Sequence, residues 1–387
     1  MTVRARIGVF TATRAEYGLL RPVLSAMEAS AWLEPVLIVS GTHLSERHGR
    51  TLSEIEADGR TPAALIPVPL VGNAPADVAA DMAAVLAGLG AALPGLRLDA
   101  LMVLGDRTEV LAAAAAAVPF GLPILHLEGG HRTTGAVDDA IRHAVTKLSA
   151  LHFTAAEPYR QRILQLGEAP DRVFTVGSTA VETIRAARAD RATVARMLEA
   201  DLEPGFLLVT FHPETLAAMS PADQIAAFLG GLASVKDRKL VITRPNADVG
   251  SDAVRAALDA FAAERPDQVM LYESLGAARY AAALTACDAV VGNSSSGVIE
   301  APIACVPSVN VGGRQDGRIK PPSVVDCANT PQAVAGALAR ALDPTFAEGA
   351  RRQPVPFGDG DAAGQIVEIL ERTTFDELVR KPFVDRP

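Results

Sequence analysis

LGDRTEVLAAAAAAVPFGLPILHLEGGHRTTGAVDDAIRHAVTKL, residues 104–148, decides the fold. The runs ALMVLGD (100–106) and LPILHLEGG (122–130) read as buried strands that each end in a polar turn. Continuous apolar strands of this kind belong to parallel sheets covered on both faces, where ligands sit beyond the carboxyl ends of the strands. Acids stand at those ends: Asp106, Glu128, and the pair Asp138/Asp139 at the start of the helix that follows. In that helix Val137, Ile141, Val145 and Leu148 recur at helical spacing, so one face packs inward while Asp138 and Arg142 lie one turn apart beside it. Each acid has a plainer reading. Asp106 with Glu109 resembles a helix cap, and Asp138/Asp139 suit the first turn of any helix. Glu128 is harder to dismiss, because it sits where a strand opens into Gly129-Gly130, a loop able to approach a ligand closely.

The same alternation extends outward in both directions. RIGVFT (6–11), EPVLIVS (34–40), LHFTA (151–155) and VFTVG (173–177) read as further strands separated by helical stretches, and the pattern restarts with FLLVTF, KLVITRP, QVMLYES, DAVVGNS and PSVNVGG after residue 206. The expectation is α/β: two Rossmann-like domains, each a parallel sheet between helices, facing across a cleft at their strand ends. The boundaries read as 1–178 for the first domain with the acids, 179–205 for a polar connection, 206–364 for a second, nucleotide-binding domain, and 365–387 for terminal helices packing back on the first.

Whole-chain properties narrow the classes. With 387 residues and 49 % hydrophobic content the chain buries a large core. Its net charge of −9 comes from scattered acids, which argues against nucleic acid as a partner. Three cysteines, Cys287, Cys305 and Cys327, fit no disulfide framework or C-x-x-C metal spacing and point to a reducing, cytoplasmic setting. The opening MTVRARIGVFTATR enters a strand directly, with no leader pattern, and no apolar run approaches membrane-spanning length. No membrane partner is therefore expected.

Other strand ends carry further candidates. Arg14 follows the first strand, where a guanidinium clamps a diphosphate well, and His43 follows the second after a Gly turn. His212 ends the first strand of the second half and suits either a phosphate contact or a proton transfer. In DAVVGNSSSGVIEAP (288–302) a strand runs into Ser294, Ser295, Ser296 and Gly297 before an apolar helix; hydroxyls and backbone N–H groups at that helix start would cradle phosphate oxygens, and Glu300 would take ribose hydroxyls. His126, Glu128, His131 and His143 lie close in sequence, and alternation puts His126 and Glu128 on one side of the strand, but the spacing supplies no second ligand pair, so no metal is expected.

With these residues in view the chain resembles the UDP-N-acetylglucosamine 2-epimerase family, in particular the hydrolysing branch that feeds sialic-acid and legionaminic-acid pathways. TATRAEYG, LGDR, HLEGG, GAVDDAIRHAVTKLSALHF, VTFHPET, RPNADVGSD, VVGNSSSGVIEAP and GGRQDGR stand in the family's order over nearly the full length. The resemblance implies the GT-B arrangement, a homodimer or homotetramer, and no cofactor. It also implies that Asp106, Glu128, Asp138 and His212 serve the chemistry with Arg142 as supporting cation. Arg14, His43, Ser294, Ser295, Ser296, Gly297 and Glu300 would hold the nucleotide, and Arg318 would reach the diphosphate or sugar. The implied reaction frees N-acetylmannosamine and UDP from UDP-N-acetylglucosamine through a glycal. Two departures bear on the sugar: His131 stands where many members carry an acid, and VGSTAVET replaces a Gly-Ser-Pro-x-x-Asp pattern. A 2,4-diacetamido-trideoxyhexose, or a GDP carrier, thus stays open, as do a GT-B glycosyltransferase and a non-hydrolysing 2-epimerase.

Overall fold

The computed structural model describes residues 4–72, 74–133, 137–214, 216–245, 249–355 and 357–385. The chain forms two compact units, one from Met1–His131, Asp138–Glu182 and Phe357–Pro387, the other from Arg132–Val137 and Thr183–Pro356.

The first unit holds seven parallel strands: β1 Ala5–Thr11, β2 Leu33–Ser40, β3 Ala64–Ile66, β4 Ala100–Leu104, β5 Ile124–Leu127, β6 Leu151–Thr154 and β7 Val173–Thr175. Their order is β3-β2-β1-β4-β5-β6-β7, so strand order reverses between β1 and β4, where doubly wound sheets open a crevice. Every residue of β4 is buried. Along β1, Ile7 and Val9 enter one core with Leu20, Met102 and Leu125, while Phe10 enters the opposite core with Ile38, Val85 and Val103, as period-two alternation under two helix layers requires. Leu104 pairs with Leu127, so β4 and β5 end level and deliver Asp106 and Glu128 to the same edge of the sheet. Strand β3 is absent from the sequence reading, because three residues leave no period to detect.

One expectation is corrected. The helix Pro75–Leu96 is, by length and composition alone, long and apolar enough to cross a membrane, and only 22 % of its most apolar window is buried. Its alanines and glycines between Asp77 and Pro94 raise the apolar content without bulk, so the stretch does not stand out as a run of large residues. Val85, Leu89 and Leu93 on its inner face join the core.

The chain returns to the first unit at Phe357. Ala362, Ile366 and Leu370 of helix Ala362–Glu371, with Leu378, share a core with Ile7, Leu20 and Leu24. Beyond them Lys381 donates to the carbonyls of Thr146 (3.2 Å) and Lys147 (2.7 Å), the last turn of the helix Asp138–Leu148, and pairs with Glu168 at 2.9 Å. Burial by itself would raise the Glu168 carboxyl, but donors on His152, Lys147 and Lys381 outweigh it and hold the group at about 2. Because its folded value lies below the unfolded one, this carboxylate stabilises the fold above about pH 4.5 and the contribution is lost as pH falls towards 2. Lys381→Met is expected to cost about 1.5–3 kcal/mol, read by denaturant titration at pH 7, with the difference from wild type shrinking below pH 4.

The second unit holds six parallel strands: β8 Phe206–Thr210, β9 Lys239–Thr243, β10 Val269–Tyr272, β11 Ala289–Gly292, β12 Ser308–Val311 and β13 Val324–Cys327. Their order is β10-β9-β8-β11-β12-β13, with the reversal between β8 and β11. Gly292 pairs with Thr210, so the turns carrying His212 and the three serines leave the sheet side by side. Helices again cover the sheet, with Phe211, Phe228, Leu258 and Leu338 among the packed side chains. Each unit is thus a doubly wound parallel layer, and the expected two-domain α/β fold is observed.

Candidate active site

In the first unit the two strand-end acids are held in different ways. Asp106 does not cap the helix that follows: its N-cap is Arg107 and the helix begins at Thr108. The Asp106 carboxylate pairs instead with Arg142, whose guanidinium is fully buried and also reaches the His131 carbonyl (3.2 Å) and Asp139 (3.4 Å). Arg142 therefore ties together a strand end, a turn and a helix start. Asp138 opens the same helix and is partly buried, while Val137, expected inward, is 43 % exposed.

Glu128 has a backbone φ of +61°, a left-handed conformation that a residue with a β-carbon adopts only where its surroundings over-determine it. Those surroundings are specific. Ser178 Oγ donates to one carboxylate oxygen at 2.6 Å, and His131 Nε2 lies 2.9 Å from the other. Gly130 follows at φ +80°, where a β-carbon would meet the Tyr159 carbonyl oxygen at 2.3 Å, so the turn is pressed against the helix Glu157–Gln165 in a way only glycine permits. The left-handed step also ends the strand alternation at Leu127. His126 accordingly turns elsewhere, its ring nitrogens 2.8 Å from the Gly105 carbonyl and 3.3 Å from Thr146 Oγ1, and burial pushes its pKa down to about 3. His126 and Glu128 do not form the pair that alternation suggests, and among the described residues no group of three or more potential ligands could hold a metal ion.

At the end of β1, Arg14 opens the helix Arg14–Ala29 behind a capping box of Thr13 and Glu16. His43 is buried between Thr11 Oγ1 at 3.0 Å and Thr51 Oγ1 at 2.8 Å, and burial lowers its pKa to about 4. Both ring nitrogens are thus held within the first unit by hydroxyls. In the same capping box, burial raises the Glu16 carboxyl to about 7 against the pull of Arg107. The Thr-x-x-Glu spacing makes Glu16 readable as a cap; nothing in sequence marks it as buried.

In the second unit Asn293 organises the strand ends. Its side-chain amide accepts from the His212 backbone N–H and donates to the His212 carbonyl, both at 2.7 Å, fixing that residue from two directions. The Asn293 carbonyl receives Gln315 Nε2 (2.8 Å) and Arg314 (3.3 Å), and Glu214 accepts from Gly313 N (3.1 Å), which ties the GGRQDGR loop to both turns. Gly292, at φ +137°, leaves 1.9 Å between a hypothetical β-carbon and the Thr210 carbonyl oxygen, so glycine is obligatory there. The expected helix after the serines is corrected: Ser295–Gly297 is a 3₁₀ turn and the helix Glu300–Ile303 has four residues, ended by Cys305 at φ +61°. So short a helix has little dipole, and any anion there would rely on local hydroxyl and N–H groups. Ser294 caps the turn, Ser296 is bonded to Tyr280, and Glu300 and Arg318 are each partly buried. In the RPNADVGSD motif, residues 246–248 lie outside the described residues.

Ser178, Asn293, Gln315 and Tyr280 receive no individual role from the sequence, although Asn293 and Gln315 lie within its motifs. Ser178 lies 50 residues from Glu128, and no periodicity links such distant positions.

Residues 25–371 match the family model for UDP-N-acetylglucosamine 2-epimerase. A GDP/UDP-N,N'-diacetylbacillosamine 2-epimerase (hydrolyzing) of Campylobacter jejuni is 33 % identical over 84 % of this chain and 84 % of its own length. A UDP-N,N'-diacetylbacillosamine 2-epimerase (hydrolyzing) of Legionella pneumophila is 31 % identical over 93 % of this chain and 94 % of its own. The crystal structure of UDP-GlcNAc 2-epimerase from Neisseria meningitidis bound to UDP-GlcNAc superposes with a TM-score of 0.79 at 19 % identity, covering 95 % of this chain and 100 % of that one. Sequence similarity over most of the length, the fold and the ordered motifs agree: this chain belongs to the UDP-N-acetylglucosamine 2-epimerase family, on its hydrolysing branch.

Proposed function

We propose that the protein hydrolyses a UDP-linked 2-acetamido sugar with inversion at C2, releasing UDP and the free 2-epimeric sugar. The observation that carries this reading is the Glu128 carboxylate, held at a strained strand end by two separate donors beside the Asp106–Arg142 pair. In the reaction a carboxylate removes the C2 proton, the C–H electron pair forms the C1=C2 bond, and the C1–O bond breaks as the diphosphate leaves. Water then adds its hydroxyl to C1 while a proton is delivered to C2 from the opposite face. Asp106, Glu128, Asp138 and His212 are assigned to these proton transfers, with Arg142 fixing Asp106. Arg14, Ser294, Ser295, Ser296, Gly297, Glu300 and Arg318 are assigned to the nucleotide, whose leaving charge calls for guanidinium and N–H groups. No step needs a redox cofactor.

Diacetamido sugars are named for the Campylobacter and Legionella relatives, which favours a 2,4-diacetamido-trideoxyhexose over N-acetylglucosamine, with UDP or GDP as carrier. The test is incubation with a panel of UDP- and GDP-linked amino sugars in D₂O, followed by NMR. The expected product is a free sugar epimeric at C2 and deuterated there, with one nucleoside diphosphate per turnover. A sugar keeping its C2 configuration would point to a GT-B transferase. An epimer still bound to nucleotide would point to the non-hydrolysing reaction.

A further inference from the structure

We infer that His131 is a positioning residue for Glu128, and that the charge on its ring sets whether the Glu128 carboxylate can act as a base. The inference rests on the proposed function for its catalytic half, and on geometry for the rest. His131 Nε2 lies 2.9 Å from a Glu128 oxygen, within hydrogen-bond distance. The ring is 2 % exposed and stacks on Tyr159, with centroids 3.9 Å apart and planes at 26°, so it has little freedom to turn away. The other Glu128 oxygen is taken by Ser178, a hydroxyl that does not change charge in the working range.

Several groups pack around the pair. Tyr159 lies against the ring, and Arg162, from the same helix, donates to the Gly130 carbonyl. Arg142 donates to the His131 carbonyl, and His126 underlies Gly129. The arginines keep one charge throughout, and His126, buried and neutral, does not titrate near pH 6–7. His131 is a titratable neighbour within hydrogen-bond distance of Glu128. As imidazole it donates a neutral hydrogen bond and leaves Glu128 basic. As imidazolium it stabilises the carboxylate anion and removes its appetite for a proton. The family resemblance puts an acid at this position in many members, which would act on the base in the opposite sense.

The experiment uses His131→Gln, whose amide N–H can still donate to Glu128 but does not titrate. In wild type the acid limb of kcat/KM should follow the titration of the His131 ring. In the variant it should move down by more than one pH unit, towards the carboxylate range, with kcat at pH 8 within about fivefold of wild type. An unmoved limb, or a kcat at pH 8 reduced as far as in Glu128→Gln, would overturn the inference.

A second readout needs no substrate. The ring signals of His131, identified by their loss in His131→Gln, are titrated by ¹³C NMR in wild type and in Glu128→Gln. Loss of the anionic partner should lower the His131 midpoint by about one unit; an unchanged midpoint would sink the pairing itself. Absence of turnover on every sugar in the panel would instead overturn the proposed function, while the NMR outcome still decides the pairing.

Discussion

Replacing Glu128 by glutamine is expected to lower turnover by about 10²-fold or more while leaving UDP affinity within about twofold, as measured by initial rates and by calorimetric titration. Glutamine keeps the size of the side chain and loses its basicity. It also exchanges one acceptor oxygen for a donor NH₂, which must face either Ser178 or His131, and both present donors to that carboxylate. The damage stays local. The groups assigned to the nucleotide, apart from Arg14, lie in the other unit, and Arg14 opens a helix anchored by its own capping box. A variant with near-native rates would remove Glu128 from the chemistry.

Arg142→Met is expected to destabilise the protein by about 3–5 kcal/mol, the usual cost of breaking a buried ion pair from one side. The residue is 0 % exposed, and its loss removes a donor from the Asp106 carboxylate, the Asp139 carboxylate and the His131 carbonyl together. Chemical denaturation would read the change. Asp106→Asn serves as the comparison: it keeps an acceptor for Arg142 and should cost far less stability, yet turnover should fall about 10²-fold if Asp106 takes part in proton transfer. Arg142→Met with native stability would mean that the guanidinium is not the tie that the geometry indicates.

Much of this was legible in the linear chain. Buried parallel strands announce themselves as apolar runs broken by Gly and acid, which is why β4, β5, β8 and β11 and the residues at their ends are readable. The rest depended on contacts between distant residues. Nothing near His43 in sequence reveals that Thr11 and Thr51 close on its two nitrogens. The alternation rule misplaced His126 relative to Glu128 because it assumes an extended backbone, and Glu128 abandons one. After the serine turn the apolar stretch VIEAPIA reads as a helix, and Cys305 at positive φ limits it to Glu300–Ile303. His131, by contrast, drew notice for its residue type, and only its position on Tyr159 shows what it touches.

The return of the chain at Phe357 bears on the order in which the molecule is made. Ala362, Ile366, Leu370 and Leu378 complete a core begun by Ile7 and Leu20. A growing polypeptide therefore exposes an unfinished apolar face throughout translation of the intervening segment, 183–356. That segment has its strands and core in hand earlier, so on the ribosome the later-encoded unit is free to fold first, and the earlier one waits for residues 357–378 to emerge.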